Sequence, residues 1–329
     1  MVKVKFIGEE DTLDFGGPKN EMFRMALQGI FETSGLFEPS PHGYLPISSP
    51  IAIVNGDFEM AGKAMAMSIV HLGPAPSCLH PAIVSALCGE DIPDMSGFHP
   101  VDREAAAFVT KLESATEGSL KDILESDEGL NITSMAGWHK TAGSTTLADI
   151  PTLRKALCLQ DLVISRKAAI EHLKQGLDLL GLRKALEAEP QLLAELLCKS
   201  TKKTTATNII DMMVCKFSAE GSSRKNVQKD VFDKLCSWMD DVESGSTRVT
   251  LGEFLQFFTA LDAEPPTGWP MEPMVAFAAE CPVGCRCLPV ANTCSFCLTL
   301  PLHMANLSSD EFSNAMEESI ISGKCFGRA

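Results

Sequence analysis

The sequence predicts an α+β fold in two parts joined by a polar linker, and three observations carry that expectation. Apolar residues recur at helical spacing in 18–31, 57–88 and 153–198. The ten residues KSTKKTTATN, 199–208, hold no large apolar side chain, which is the composition of a solvated connection. Near the C-terminus, 288–301 reads LPVANTCSFCLTLP, in which Leu298 and Leu300 stand at strand spacing behind a short polar loop.

A chain of 329 residues is long enough for two domains and a substantial core. Its 45% hydrophobic and 22% charged residues describe a globular protein. No apolar run approaches the roughly 20 residues of a membrane helix, and MVKVKFIGEEDTLDF has no apolar signal-peptide core. An intracellular protein, cytoplasmic or nuclear, is therefore expected. The net charge of −15 argues against nucleic acid as partner, because phosphate binding needs clustered Lys and Arg. Of the twelve cysteines, Cys78, Cys88, Cys158, Cys198, Cys215 and Cys236 are scattered among apolar residues and read as buried, reduced thiols.

In chain order, residues 2–7 alternate Val2, Val4 and Phe6 against Lys3 and Lys5, a half-buried strand. Gly16 and Gly17 make a turn, and Pro18 opens a helix reaching about Phe31. No Gly-Lys-Ser/Thr follows these glycines, so a nucleotide loop is not expected. The helix at 57–73 carries small residues at Ala61, Gly62, Ala64 and Ala66, which permit close helix packing; another helix covers 81–88. His71 and His80 lack metal-ligand spacing and read as structural. Between 92 and 150 periodicity weakens, with short helices at 103–113 and 118–126. Trp138, between glycines, reads as a satellite core residue, with an interface anchor as the alternative. Ile164, Ala168, Leu173, Leu177 and Leu180 form an apolar stripe in the next helical region. Beyond the linker, 227–242 reads as a helix. Thr250 with Glu253, and Ser308 with Glu311, have capping-box spacing, and Gly323 terminates the last helix.

The 288–301 loop resembles the active-site loop of HECT-type ubiquitin ligases, L-P-x-A-x-T-C-x-x-x-L-x-L-P, matching at Leu288, Pro289, Ala291, Thr293, Cys294, Leu298, Leu300 and Pro301. Phe6, Gly8, Glu9, Asp14, Gly16, Gly17, Glu21, Phe23 and Leu27 resemble the start of that family's N-lobe, SGLFE at 34–38 continues it, and LQFFT at 255–259 stands at the family's distance before the cysteine. The resemblance implies a bilobal architecture. A mainly helical N-lobe with a small sheet covers 1–198, lacking the family's first helices, with 91–150 as the subdomain docking the conjugating enzyme. A flexible hinge covers 199–205, and an α/β C-lobe, 206–329, carries the cysteine loop. It further implies that Cys294 accepts ubiquitin as a glycyl thioester and passes it to a substrate lysine, that Thr293 orients the loop, and that Phe326, fourth from the end, positions the thioester. The partners implied are a conjugating enzyme, ubiquitin and a protein substrate, with no cofactor.

One departure concerns proton handling. Asn292 stands where the family often has histidine, and asparagine neither takes up nor gives up a proton near neutrality. Thiol–thioester exchange is close to isoenergetic, so it needs thiolate, access and orientation more than a strong base. An ordinary cysteine, with pKa about 8.5, is a few per cent thiolate at neutral pH. Two other readings stay open. Cys281, Cys285, Cys294 and Cys297 have spacing for one structural zinc, which makes the chain a metal-stabilised binding module. Alternatively, a HECT-like scaffold binds the conjugating enzyme or ubiquitin without turnover.

Overall fold

The structure is a computed structural model that describes residues 17–89, 94–198, 204–265, 268–278 and 284–323. It is α+β: mostly helical, with one two-stranded and one four-stranded sheet among the described residues. The expected strand at 2–7 lies outside them, as do residues 199–203 of the expected hinge. The chain divides into two compact units, one comprising 26–70 and 75–200, the other 1–25, 71–74 and 201–329. None of the described helices is long and apolar enough to cross a membrane.

In the first unit, β1 (Phe37–Ser40) and β2 (Gly43–Pro46) form an antiparallel hairpin. Gly43 has φ +125°, and a Cβ there would lie 2.6 Å from the Cys78 carbonyl oxygen, so the turn requires glycine on two counts. The helix Asp57–Val70 packs on Lys167–Leu177. Their crossing is glycine on glycine: a Cβ on Gly62 would lie 2.4 Å from the Leu173 carbonyl oxygen, and one on Gly176 2.2 Å from that of Glu59. The small-residue signal at 61–66 thus has a defined cause, the near-contact of two helix backbones. Around them Phe37, Leu45, Phe58, Met65, Leu79, Ile83 and Leu173 close the core.

His80 caps the helix Pro81–Leu87, its Nδ1 accepting the Ala82 N–H at 3.1 Å. Burial, helped by nearby His42 and Arg166, holds its pKa down to about 4, so the imidazole stays neutral and keeps its acceptor nitrogen. Its structural reading holds. Arg166 is also buried; it donates to the Pro46 carbonyl at 2.8 Å and pairs with Glu38 at 2.7 Å, tying β2 to the helical layer.

A satellite core gathers Phe108, Leu112, Leu120, Leu124, Ile132, Leu153 and Leu157. Two of its helices, Arg103–Glu113 and Glu117–Glu125, fall where periodicity places them; a third, Asp127–Met135, was not expected. Ser126 signals it, capping the helix by accepting the Gly129 N–H at 3.0 Å. Trp138 packs against this cluster and donates from Nε1 to Thr145 Oγ1 at 3.1 Å, as a satellite core residue does.

The stripe proposed for 164–180 needs correction. Leu173 and Leu177 are buried, but Ile164, Ala168 and Leu180 are exposed, and the buried face is Ala169, Ile170, Leu173 and Leu177. The helical region is broken at 164–166 by a tight 3₁₀ turn and again at Leu180, whose φ is +60°. Each break resets the phase, so one helical period does not run through the region.

The second unit holds the four-stranded sheet, ordered β3 (Val214–Cys215), β4 (Met274–Phe277), β6 (Cys297–Leu300), β5 (Val290–Asn292). β3, β4 and β6 run parallel, and β5 is an antiparallel edge. Behind the sheet lie the helices Ser223–Glu243, Leu251–Thr259 and Ser309–Gly323, meeting in a core of Leu235, Trp238, Phe254, Phe258, Val275, Leu298, Leu300, Phe312 and Met316. Both capping boxes form: Thr250 with Glu253, and Ser308 with Glu311.

The glycine crossing generates a stability prediction. Gly176→Leu forces side-chain atoms into the Glu59 backbone, and is expected to lower unfolding free energy by about 1–3 kcal/mol, measured by urea denaturation. A loss under about 0.5 kcal/mol would mean that the two helices separate at no cost.

Candidate active site

The hairpin β5–β6 carries the cysteine, and its local sequence explains its shape. Leu298 and Leu300 alternate with Cys297 and Thr299, so one face of β6 enters the core while the other stays half-buried. Pro301 ends the strand. Asn292 pairs with Cys297, leaving Thr293–Phe296 as a four-residue loop.

Three hydrogen bonds close that loop. The Asn292 carbonyl oxygen accepts the Ser295 N–H at 3.2 Å, and its side-chain Oδ1 accepts the N–H groups of Cys294 at 3.0 Å and Ser295 at 3.1 Å. This is the Asx-turn chemistry that suits asparagine to such positions. Sequence reading takes Asn292 as a loss of proton handling; its position immediately before the polar loop is the signal for its turn role. Among the described residues, no side-chain hydrogen bond of Thr293 shares in holding the loop.

Phe296 closes the loop at φ +48°, a conformation costing a non-glycine residue about 1 kcal/mol. Its ring is buried, edge-on to Trp269 at 6.0 Å, and its carbonyl accepts the Met274 N–H at 2.7 Å, bonding the loop to β4. The burial and the bond offset the strain.

Cys294 sits at the second loop position, half-buried rather than fully outward-facing. Burial pushes Cys78 and Cys215 up to about 12 and Cys158, Cys198 and Cys236 up to about 11, so these five remain protonated near neutrality. Thr293 and Ala291 line a cleft of about 210 Å³ beside the loop, closed by Gln256, Phe257, Ala260, Ile320 and Gly323. Phe326 lies outside the described residues. Of the acidic groups nearest in sequence, Glu311 is engaged: hydrogen bonds from the Ser308 N–H, and then from its hydroxyl, lower its pKa and make it a poorer proton acceptor.

Of the four cysteines with zinc-ligand spacing, the structure describes three. Cys281 lies outside the described residues. Cys285, Cys294 and Cys297 do not converge; Cys285 instead stands with Cys287 and His303, their donor atoms all within 4.8 Å of one another. Sequence reading missed that grouping because His303 lies beyond the strand that follows the cysteines.

A mixed sheet whose edge hairpin presents a cysteine in an L-P-x-A-x-T-C loop defines the class. The chain belongs to the HECT-domain (ubiquitin-transferase) family, which matches residues 23–328. It is 27% identical over 311 residues to the G2/M phase-specific E3 ubiquitin-protein ligase of Macaca fascicularis, with 92% of this chain and 40% of that protein covered. To the protein of the same name from Gallus gallus it is 28% identical over 329 residues, with 97% and 41% covered. To that from Homo sapiens it is 26% identical over 314 residues, with 92% and 40% covered. The chain thus spans about two fifths of the length of these relatives.

The Asn292 turn is testable by itself. Asn292→Ala removes the Oδ1 acceptor for two N–H groups and is expected to cost about 1 kcal/mol in urea denaturation, with Asn292→Asp recovering most of it. Equal stability of Asn292→Ala and the parent would show that Oδ1 does not hold the loop.

Proposed function

We propose that this chain accepts ubiquitin from a conjugating enzyme as a thioester on Cys294 and transfers it to a lysine of a protein substrate. The observation that carries this reading is the position of Cys294: second in an asparagine-closed turn, at the tip of a hairpin whose sequence matches the family's loop. In the first step the Cys294 thiolate attacks the thioester carbonyl of the charged conjugating enzyme. A new S–C bond forms, the old one breaks, and the conjugating enzyme leaves as thiolate. The exchange swaps one thiolate for another, so the protein needs to present and orient the sulfur rather than supply a strong base. The side-chain and backbone oxygens of Asn292 are suited to that orienting role, and Thr293 contributes by shaping the cleft beside it.

In the second step a lysine amine attacks the Cys294 thioester. The isopeptide C–N bond forms, the C–S bond breaks, and the amine proton must leave. A free lysine, with pKa about 10.4, is almost wholly protonated at neutral pH, so a base has to be near. Of the two acidic residues nearest in sequence, the engaged state of Glu311 favours Asp310. For the conjugating enzyme, exposed Leu130 and Met135 on the helix Asp127–Met135, with Leu147 beyond it, support docking on 91–150. Phe326 is assigned the positioning of the thioester for release, and Phe257, Ala260 and Ile320 in the cleft beside the loop suit an apolar side chain. An intracellular site of action follows from the proposed partners.

Cys294→Ala is expected to abolish the reductant-sensitive ubiquitin adduct formed with charged conjugating enzyme, while leaving the circular dichroism spectrum unchanged. An adduct that survives Cys294→Ala and disappears with Cys297→Ala would move the site along the hairpin. Absence of any adduct in the parent would favour a scaffold that binds without turnover.

Phe326→Ala is expected to charge normally and to discharge the Cys294 thioester to lysine about tenfold more slowly, since slight misplacement of reacting atoms costs rates of that order or more. Single-turnover discharge of preformed thioester measures it, and equal rates would leave Phe326 a packing residue.

A further inference from the structure

Beyond the hairpin, on the side away from Cys294, the structure holds a second cluster of ligating atoms. Cys285 and Cys287 precede β5, and His303 follows β6 on the turn Leu302–Asn306. Their donor atoms all lie within 4.8 Å of one another, and Cys287 Sγ is 3.9 Å from His303 Nδ1. A tetrahedral zinc with bonds of about 2.3 Å to sulfur and about 2.0 Å to nitrogen separates those two donors by about 3.6 Å. The observed spacing is within a small side-chain adjustment of that value.

We propose that Cys285, Cys287 and His303 bind a soft divalent metal ion of the zinc class. Two thiolates and one imidazole are a donor set that selects zinc over hard cations such as calcium or magnesium. The two thiolates neutralise the ion's charge, and the remaining tetrahedral position goes to a ligand beyond these three. Two further observations point the same way. The Cys287 N–H donates to Cys285 Sγ at 3.3 Å, a backbone bond that orients the sulfur. The turn bearing His303 is held in place from both sides: Met304 is fully buried, and Lys234 donates to the Ala305 carbonyl at 2.8 Å and to that of Leu307. The imidazole is therefore presented on a fixed support.

The metal ties the segment entering β5 to the turn leaving β6, so it braces the open end of the hairpin whose closed end carries Cys294. This inference stands independently of thioester chemistry, because it uses none of the loop residues.

Cobalt(II) binding to the whole chain under reducing, metal-free conditions tests it. One equivalent is expected to give a thiolate-to-cobalt charge-transfer band, displaced by one equivalent of zinc. Cys287→Ser and His303→Gln are each expected to weaken binding by more than about 100-fold, because loss of a ligand exceeds the effect of losing an outer-shell partner. Cys294→Ser and Cys297→Ser are expected to bind as the parent does. Zinc should also raise the Tm of the parent but not of His303→Gln. His303→Gln leaves the hairpin untouched, so it remains informative where Cys287→Ser fails to fold. Unaltered cobalt affinity in folded His303→Gln overturns the site, as does a charge-transfer band that disappears in Cys294→Ser.

Discussion

Strand β6 is bonded along both edges, parallel to β4 and antiparallel to β5, and everything about the cysteine loop depends on that. Leu298 and Leu300 are fully buried on one face, while Cys297 and Thr299 occupy the other. A slip of one residue would put those polar positions in the core and both leucines outside, so the register is fixed by burial. Once Cys297 is set opposite Asn292, the four intervening residues have one short span to cover. The Asn292 oxygens and the buried Phe296 ring then leave Cys294 a narrow range of positions. The protein places its thiol through residues on either side of it.

Much of this was legible in the sequence, and the legible parts share a local cause. Capping boxes, proline starts and the alternation of β6 are written within a few residues, so 251–259, 309–323 and 297–300 were found where they lie. The stripe through 164–180 failed because a 3₁₀ turn and a left-handed Leu180 reset the helical phase twice; the first break involves neither glycine nor proline, and in the second Gly181 follows Leu180. β3 is two residues long, too short for any period to register. At the site, the loop and its cysteine were readable from motif spacing. The turn role of Asn292 was obscured by comparison with the histidine it replaces, and the grouping of Cys285, Cys287 and His303 exists only once β5 and β6 pair.

The cysteines show how one functional group is sorted by surroundings. Cys158 is buried, while Cys78, Cys198, Cys215 and Cys236, expected to be buried, are half-buried against the apolar cores; the burial each has raises its pKa. Cys294 lies in a polar turn held by backbone N–H donors. Cys285 and Cys287 face an imidazole beyond the other end of the same hairpin. High cysteine content therefore carries no single meaning here; the meaning is assigned by whether a sulfur faces leucines, a turn or another ligand.

The parallel order of β3, β4 and β6 has a consequence for how the protein acquires its site. Parallel neighbours cannot be joined by a tight turn, and each of these strands lies far along the chain from its parallel neighbour. Chain entropy is lost in closing those long loops before the pairings repay it, so such sheets assemble slowly and late. β6 is the strand that completes the order, and it is also the strand on which the cysteine turn is hung. During synthesis or refolding, the helices can be in place while the thiol is not yet positioned. Competence of the Cys294 loop is thus a late reporter of folding, and a chain stalled short of that step would retain most of its helix content without its site.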